Sequence, residues 1–164
     1  MLTPAQARAR VNRIAGAQKA SRSRKAMQRA RLEREERGEP VPPLEFVIMG
    51  PPQPKERARR GKGGHWYTPE RTRRYEESVA RAAWAALTIA RQLETWPLDR
   101  KYMVAVTAYF PDARRRDADN VGKAVLDACN TVLWNDDSQA GVTNNPEIDR
   151  EHPRTVVRVE VVCD

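Results

Sequence analysis

The sequence predicts an α+β fold in which a small mixed β-sheet packs with two main helices, in the order β-α-β-α-β-β, after a basic and partly helical N-terminal arm. Two observations lead to this prediction. Short runs rich in β-branched and aromatic residues alternate with longer segments whose apolar residues recur at helical spacing. Three prolines between residues 39 and 43 separate this pattern from a basic segment with few large apolar residues. The chain of 164 residues therefore fits one small domain plus a tail.

Residues 1–43 are predicted to be a basic arm followed by a proline-rich linker. Residues 1–40 carry 11 Lys or Arg and 4 Asp or Glu, a balance of +7, whereas the rest of the chain adds only +1 to the net charge of +8. Thr3-Pro4 is a helix-start signal and Gly38 is a stop signal. Because the arm has little apolar surface to bury, a solvated helix and a disordered tail both remain open. A basic arm without aromatic anchors favours nucleic acid over membrane as its partner.

The predicted folded domain occupies residues 44–164 and begins with a strand at Leu44–Met49. Residues 50–68 form a loop that is rich in Gly and Pro at its start and basic in its middle, where Gly63 permits a hairpin. A long helix is predicted from about Pro69 to Glu94, because apolar residues recur there at helical spacing after a helix-entry signal.

The second half of the domain is predicted to contain a helix, two clearly indicated strands and a third strand with a weaker signal. Residues 101–109 are rich in Val, Tyr and Thr and form the second strand. A second helix starts near Asn120. Residues 154–162 alternate between apolar and polar side chains and give a late strand, and a weaker strand lies near Ser138–Val142.

Composition excludes several functional classes. No run approaches the roughly 18 apolar residues of a membrane span, and the N-terminus lacks the apolar stretch of a signal peptide. We therefore expect a cytoplasmic protein with no membrane partner. The two cysteines, Cys129 and Cys163, are too few and too far apart for a zinc site or a disulfide framework.

Two pairs of aspartates carry the predicted chemistry. Asp117 and Asp119 are two residues apart directly after a strand, so both carboxylates can face one site. Carboxylates this close repel each other, and a hard divalent cation such as Mg²⁺ relieves the repulsion through oxygen ligands. Asp136 and Asp137 follow the next helix. The sequence therefore predicts a magnesium platform where the second strand ends.

The helix that follows Asp119 is predicted to carry Lys123 one turn further on, at the same edge, where a phosphate would meet both metal and ammonium. The alternative is that Asp119 caps this helix and forms an exposed ion pair with Lys123. For Asp137 to join Asp117 in the same subunit, the helix must end near Asn130. If the helix ran on to Leu133, its end would lie about 20 Å from Asp119. The four residues from there to Asp137 would span at most about 14 Å, which is too short to return.

Five short motifs stand at a combined spacing that is more specific than any one of them. They are P-x-P-K-x-R-x-R from Pro52, Y-T-P-x-x-T-x-x-Y from Tyr67, R-R-R-D-A-D-N-x-x-K from Arg114, D-A at Asp127 and W-x-D-D-x-Q from Trp134. Together they resemble the RusA family of Holliday junction resolvases over about residues 44–162. The basic arm is a departure, since the resemblance begins after it.

The resemblance implies a Mg²⁺-dependent crossover junction endodeoxyribonuclease of DNA recombination and repair, with Mn²⁺ as a substitute metal. By motif, the metal ligands fall on Asp117, Asp119 and Asp137 and the essential lysine on Lys123, to which we add Asp136 and Asn120 as auxiliary candidates. The family works as a homodimer whose two sites nick strands symmetrically across a four-way junction. The products implied carry 5′-phosphate and 3′-hydroxyl ends.

Cations flank the aspartates and are predicted to contact the sugar-phosphate backbone. The predicted DNA-binding residues are Lys55, Arg57, Arg59, Arg60, Lys62, Arg114, Arg115 and Arg116. The three arginines abut the aspartates, so we expect at least one of them to pair with a carboxylate or to grip the phosphate beside the scissile bond. A solvated loop is the alternative for the first five cations.

The aromatic residues offer two interpretations. His65, Trp66 and Tyr67 either stack on an unpaired base at a branch point or pin a hairpin to the domain, and we favour packing for Trp66. Trp84 and Trp96 are predicted to be core or dimer contacts, and Trp134 is predicted to pack the loop that returns towards Asp117. Two rival functions remain open, namely a broader flap or branch nuclease and a non-catalytic branched-DNA-binding protein.

Overall fold

The computed structural model describes residues 41–90, 96, 100–114 and 116–162, together with Arg29. In this part of the chain a four-stranded mixed sheet packs with two helices, so the predicted α+β class is confirmed. The predicted arm falls almost wholly outside the described residues, as do Arg115 and Cys163. The division into an arm and a domain stays a prediction.

In chain order the elements are β1 (Leu44–Met49), β2 (Arg59–Arg60), β3 (Trp66–Tyr67), α1 (Glu70–Ile89), β4 (Tyr102–Phe110), α2 (Ala118–Cys129), β5 (Ala140–Ile148) and β6 (Arg154–Val161). The main sheet has the order β1-β6-β4-β5. Strand β4 is antiparallel to β6 and parallel to β5. A parallel neighbour needs a crossover connection, and α2 supplies it between β4 and β5.

One face of the sheet forms the core with the helices. The alternation of β4 buries Tyr102, Val104 and Val106 on this face, and α2 contributes the fully buried Val121 and Val125. The opposite face is uncovered within the described chain, because apolar side chains of β1 and β4 on that side remain largely exposed. The sheet therefore has one buried side, and the functional side chains lie at its edges and beyond its strand ends.

The bounds of β1, β4 and β6 agree with the predicted strands to within one residue. The weak strand predicted near Ser138–Val142 is in fact nine residues long, Ala140–Ile148. It lies at the edge of the sheet and contains Pro146, a residue that sheets accept mainly at edges. Its sequence signal was weak because most of its side chains are exposed.

The two helices also match the prediction in type, with small differences at their ends. Helix α1 is described to Ile89, with Ala90 as its C-cap, and residues 91–94 of the predicted helix lie outside the described chain. Helix α2 begins at Ala118, two residues before the start predicted near Asn120. No helix among the described residues combines the length and the apolar character that crossing a membrane requires.

Candidate active site

Asp117 is the N-cap residue of α2. Its backbone is extended (φ −87°, ψ 97°), and its side chain accepts a hydrogen bond from Asn120 N at 3.3 Å. Its second carboxylate oxygen accepts from Asn120 Nδ2 at 2.5 Å. The first turn of a helix leaves N–H groups unpaired, and a capping carboxylate satisfies one of them. Asn120 thus fixes the Asp117 carboxylate at the positively polarised end of the helix.

Asp119 lies in the first turn of α2, where its exposed side chain accepts a hydrogen bond from Asn144 Nδ2 at 3.3 Å. Asn144 belongs to β5, so this contact joins the helix to the strand at the sheet edge. Gly122 allows the close approach, because a Cβ there would stand 2.9 Å from Asn144 Cγ. Within the described residues, the amide oxygen of Asn144 is buried and has no hydrogen-bond partner. Sequence reasoning missed Asn144, since the contact arises only from the tertiary fold.

Lys123 is exposed and lies one helical turn after Asp119, on the polar side of α2 where it was predicted. The alternative in which Asp119 caps the helix is wrong, because the N-cap is Asp117. The accompanying ion pair is also absent, since Lys123 forms none with any side chain in the described part of the molecule. The ammonium group of Lys123 is therefore available to an incoming phosphate.

The chain turns back directly after α2, which was the condition for Asp137 to return towards Asp117. Helix α2 ends at Cys129, with Asn130 as its C-cap, so the prediction that it stops near Asn130 is confirmed. Trp134 is fully buried, and its indole N–H donates to Leu126 O at 3.2 Å. Thr131, the first residue after the cap, takes the left-handed conformation (φ 66°) that allows the reversal. The predicted packing of Trp134 on the returning loop is also confirmed.

Asp136 and Asp137 differ in their surroundings at the short 3₁₀ turn Asp137–Gln139. The Asp136 carboxylate accepts from Ser138 N at 2.9 Å, while Gln139 Oε1 accepts from Asp136 N at 3.1 Å. The hydrogen bonds from Ser138 lower the pKa of Asp136. The side chain of Asp137 is exposed and makes no hydrogen bond or ion pair with the described residues. Asp137 is therefore the carboxylate of this pair that can take a ligand.

These carboxylates have the chemistry that Mg²⁺ prefers, but they do not form a closed cluster. Mg²⁺ takes oxygen ligands and usually keeps several waters, so that one or two carboxylates and substrate phosphates complete its shell. Among the described residues, no three His, Cys, Asp or Glu side chains stand close enough together to hold a metal ion. The predicted trio of Asp117, Asp119 and Asp137 is thus not assembled in this structure, and its assignment as metal ligands stays a prediction.

Arg116 is anchored beside the start of α2. Its guanidinium group donates to both carboxylate oxygens of Asp112, at 2.7 and 3.1 Å, and its Cζ lies 5.0 Å from the centre of the Phe110 ring. These hydrogen bonds, with one from the backbone N–H of Arg114, lower the pKa of Asp112 to about 2. The expectation that one of the arginines pairs with a carboxylate is confirmed, although the partner is Asp112 and not a predicted metal ligand.

An open groove of about 220 Å³ lies where the parallel strands β4 and β5 end. Its lining residues are Phe110, Asp112, Ala113, Arg114, Arg116, Pro146, Glu147 and Ile148. The Arg114 side chain is 85% exposed at this groove, so its guanidinium group can bind a phosphate oxygen. Sequence reasoning missed the contribution of β5 to this groove, because it depends on the pairing of β5 with β4.

The predicted DNA-binding cations of the 50–68 loop fall into two groups. Lys55 forms an ion pair with Asp127 of α2, and its backbone N–H donates to Asn120 O at 2.8 Å. The remaining cations lie on or near the β2–β3 hairpin, where Arg59 pairs with Glu56 at 2.8 Å. Lys55 therefore fastens the loop to α2, the helix capped by Asp117, and its predicted contact with DNA stays a prediction.

We expect the Lys55–Asp127 ion pair to contribute about 0.5–1 kcal/mol to the free energy of unfolding, because both side chains are about a third exposed. Asp127→Asn and Lys55→Met should each lower that free energy, and the double variant should lose little more than either single one. Urea denaturation followed by circular dichroism measures the three values. Glu160→Gln, which breaks the more exposed pair with Arg158, is the control. Fully additive losses would contradict the pairing.

We expect Asn144→Ala to lower the rate of the reaction proposed below by about tenfold, since a hydrogen bond to a charged group contributes roughly 1.5–3 kcal/mol and Asp119 is exposed. The midpoint of the Mg²⁺ titration should rise as well, because the Asp119 carboxylate loses a group that orients it. Asn145→Ala, at the exposed neighbouring position, is the matched control. An unchanged rate and midpoint in Asn144→Ala would show that Asp119 needs no support from β5.

Two tryptophans depart from the sequence predictions. The predicted hairpin exists, but Trp66 is 69% exposed, so its predicted packing against the domain is wrong. Trp84 is 52% exposed on α1, so the core alternative is wrong for it, whereas Trp96 is buried against Tyr102 as a core residue. Sequence alone could not separate these positions, because an aromatic residue in a short strand or on a helix has the same pattern whether or not a neighbour covers it.

Comparison with known families agrees with the motifs. A family model described as Endodeoxyribonuclease RusA matches residues 49–160, which is more than half of the 164 residues of the chain. The match runs from the end of β1 into β6 and includes the whole of α2 and the turn that bears Asp137. No match was found among curated proteins.

Proposed function

Because the chain belongs to the RusA endodeoxyribonuclease family, we propose that it resolves Holliday junctions and related branched DNA by Mg²⁺-dependent hydrolysis of paired phosphodiester bonds. The observation that carries the proposal is the start of α2, where Asp117 and Asp119 follow the end of β4 and Lys123 lies one turn further on. A phosphate that approaches this end of the helix meets carboxylates, an ammonium group and unpaired backbone N–H groups.

The side chains of this site divide into two roles in the proposed reaction. Asp117, Asp119 and Asp137 would hold Mg²⁺, and Asn120 orients Asp117 for that purpose. When bound, the metal activates the attacking water and neutralises charge on the phosphate oxygens. Lys123 stabilises the negative charge that develops as the phosphorus–oxygen bond breaks. Mn²⁺ should substitute for Mg²⁺, because it accepts the same oxygen ligands.

The DNA backbone would follow the cations that border this site. Arg114 is exposed at the groove beyond β4, and Arg57 and Lys62 are exposed in the segment of residues 50–68. Contacts to phosphates fix the position of a protein on DNA without reading its sequence, which suits a nuclease that recognises branching. Association should weaken steeply as salt rises, since each neutralised phosphate releases counterions. We place this activity in the cytoplasm.

A homodimer is part of the proposal because resolution of a four-way junction requires two nicks at symmetric positions. A two-fold symmetric substrate is matched by a two-fold symmetric pair of identical sites. Light scattering on a size-exclusion column should give twice the 18.7 kDa mass of the chain.

A cleavage assay tests the proposed function. The purified protein is incubated with a labelled four-way junction, a flap and a linear duplex of matched sequence, each with Mg²⁺ and with EDTA. We expect symmetric nicks in the junction that require the metal and that DNA ligase can seal, since sealing needs 5′-phosphate and 3′-hydroxyl ends. Equal cleavage of the flap and the junction would replace this proposal with a broader branch nuclease.

A non-catalytic branched-DNA-binding protein is the second candidate function. It is favoured by the observation that no three carboxylates gather at a metal-binding distance among the described residues. In that case the aspartates serve as helix caps and as partners of neighbouring side chains. Tight binding of the junction without cleavage in Mg²⁺ or Mn²⁺ would support this candidate over the nuclease.

A further inference from the structure

The hairpin of β2 and β3, residues 59–67, presents an aromatic side chain that the fold does not use. Trp66 is the most exposed of the four tryptophans, at 69%, against 52% for Trp84, while the other two are buried. The strand register pairs Trp66 with Arg60, so the indole and the guanidinium group share one face of the hairpin. Because an exposed indole contributes little to stability, the position is free to serve another purpose.

The tip of the hairpin is narrow and tightly turned. Gly61 N donates to His65 O and Gly64 N donates to Gly61 O, both at 2.9 Å. Gly64 takes the left-handed conformation (φ +79°), and a Cβ on Gly61 would stand 2.9 Å from the His65 ring. Arg60 Nε donates to Gly64 O at 3.3 Å, which holds the guanidinium group across the turn. Such a tip can enter a gap between two DNA arms that a broader loop would not fit.

The base of the hairpin is fastened close to the proposed catalytic carboxylates. Lys55 N donates to Asn120 O at 2.8 Å, and Glu56 N donates to the hydroxyl of the fully buried Thr72 at 3.2 Å. Arg60 is the fifth residue after Lys55, so their Cα atoms are at most about 17 Å apart. At about 3.4 Å per nucleotide, that length corresponds to roughly five nucleotides along one DNA strand.

We infer that Trp66 is a stacking site for an unpaired base at the branch point of the DNA substrate, with Arg60 on an adjacent phosphate. This inference rests on the proposed function. A base at an opened branch point has lost a stacking neighbour, and an aromatic face replaces that neighbour whatever the base. A linear duplex offers no such base. The contact would therefore recognise the branch point and not the nucleotide sequence around it.

Binding measurements in an Asp119→Asn background, in which we expect cleavage to be too slow to affect a titration, test the inference at one fixed salt concentration. We expect Trp66→Ala to weaken binding of a four-way junction by about tenfold and to leave binding of a matched linear duplex unchanged. Trp66→Phe, which keeps an aromatic face, should recover most of the loss. Ile89→Ala, which removes an exposed apolar side chain from α1, is the control and should bind as the Asp119→Asn protein does. A 2-aminopurine at the branch point should lose fluorescence on binding the parent and not on binding Trp66→Ala.

Several outcomes would overturn the inference. Equal losses for junction and duplex would make the hairpin a general DNA contact, and unchanged junction affinity would exclude Trp66 from the interface. A change of Trp66→Ala from dimer to monomer in light scattering would reassign the indole to a subunit contact. Failure of the proposed function is measured separately, because the wild-type protein would then not cut the junction in Mg²⁺, whatever the effect of Trp66→Ala on binding. Circular dichroism verifies that each variant is folded.

Discussion

Asp119→Asn is expected to lower the rate of junction cleavage by about a thousandfold or more while junction binding is kept. The exposed carboxylate lies in the first turn of α2, where the proposed metal would neutralise the scissile phosphate. Removing a ligand weakens both the attack by water and the neutralisation of charge, and a loss of about 4 kcal/mol in transition-state stabilisation corresponds to three powers of ten in rate. Binding should hold or strengthen, since the variant removes a negative charge that faces the DNA.

The measurement is single-turnover cleavage of a labelled junction with protein in excess, together with a binding titration of the same variant. Glu160→Gln is the matched control, because it also removes one exposed carboxylate but lies on β6, away from α2. Cleavage by Asp119→Asn within tenfold of the wild-type rate would exclude Asp119 as a metal ligand. Loss of binding together with loss of cleavage would instead make Asp119 a residue that maintains the DNA-binding surface.

The strands and the carboxylate pair were predictable because their signals are local. Residues 102–110 alternate buried and less buried side chains along one strand, and that period is visible in the sequence. The end of α2 at Cys129 agrees with a condition set by chain length, since a longer helix would have carried Asp137 too far to join Asp117 and Asp119. In both cases the determining information lies within a few residues of the feature itself.

The contacts that support the site were not predictable because they join distant segments. Lys55 and Asp127 are 72 residues apart, and Asn144 reaches Asp119 only because β5 lies parallel beside β4. Asp117 was expected as a metal ligand, and its second role as the helix cap depends on where α2 begins. The exposure of Trp66 was not predictable either, since nothing in the sequence indicates that no other segment of the described chain covers its hairpin.

The hydrogen bonds from two asparagines show how a small domain can orient the carboxylates that are proposed to hold the metal. Asp117 and Asp119 each accept a hydrogen bond from an asparagine side chain, from Asn120 in one case and Asn144 in the other. A neutral amide orients a carboxylate without competing for its charge, whereas a paired arginine would have to be displaced by the metal. The nearby Arg116 is held away by Asp112. The positive charge of Arg116 therefore lies at the groove, where it can interact with a phosphate.

Trp134→Ala is expected to lower the free energy of unfolding by about 3–5 kcal/mol, the range for truncating a large buried aromatic side chain. Trp134 is fully buried, its ring centre lies 5.7 Å from that of Tyr102, and its indole N–H donates to Leu126 O. Trp134→Phe should cost less, because it keeps most of the apolar contact and loses the hydrogen bond and part of the volume. Urea denaturation measures both, with Trp84→Phe as the exposed control.

The same variants separate a purely structural role of Trp134 from its support of the site. The indole anchors the segment that returns from α2 to the turn bearing Asp137. If Asp137 is a metal ligand, Trp134→Phe should cut junctions more slowly than wild type under conditions in which it is fully folded, and the midpoint of its Mg²⁺ titration should rise. Trp84→Phe should show neither change. Full activity in a folded but destabilised Trp134→Phe would mean that the Trp134 indole is not needed to position a metal ligand. If Asp137 is then not the third ligand, that ligand would have to lie on another element or on a second subunit.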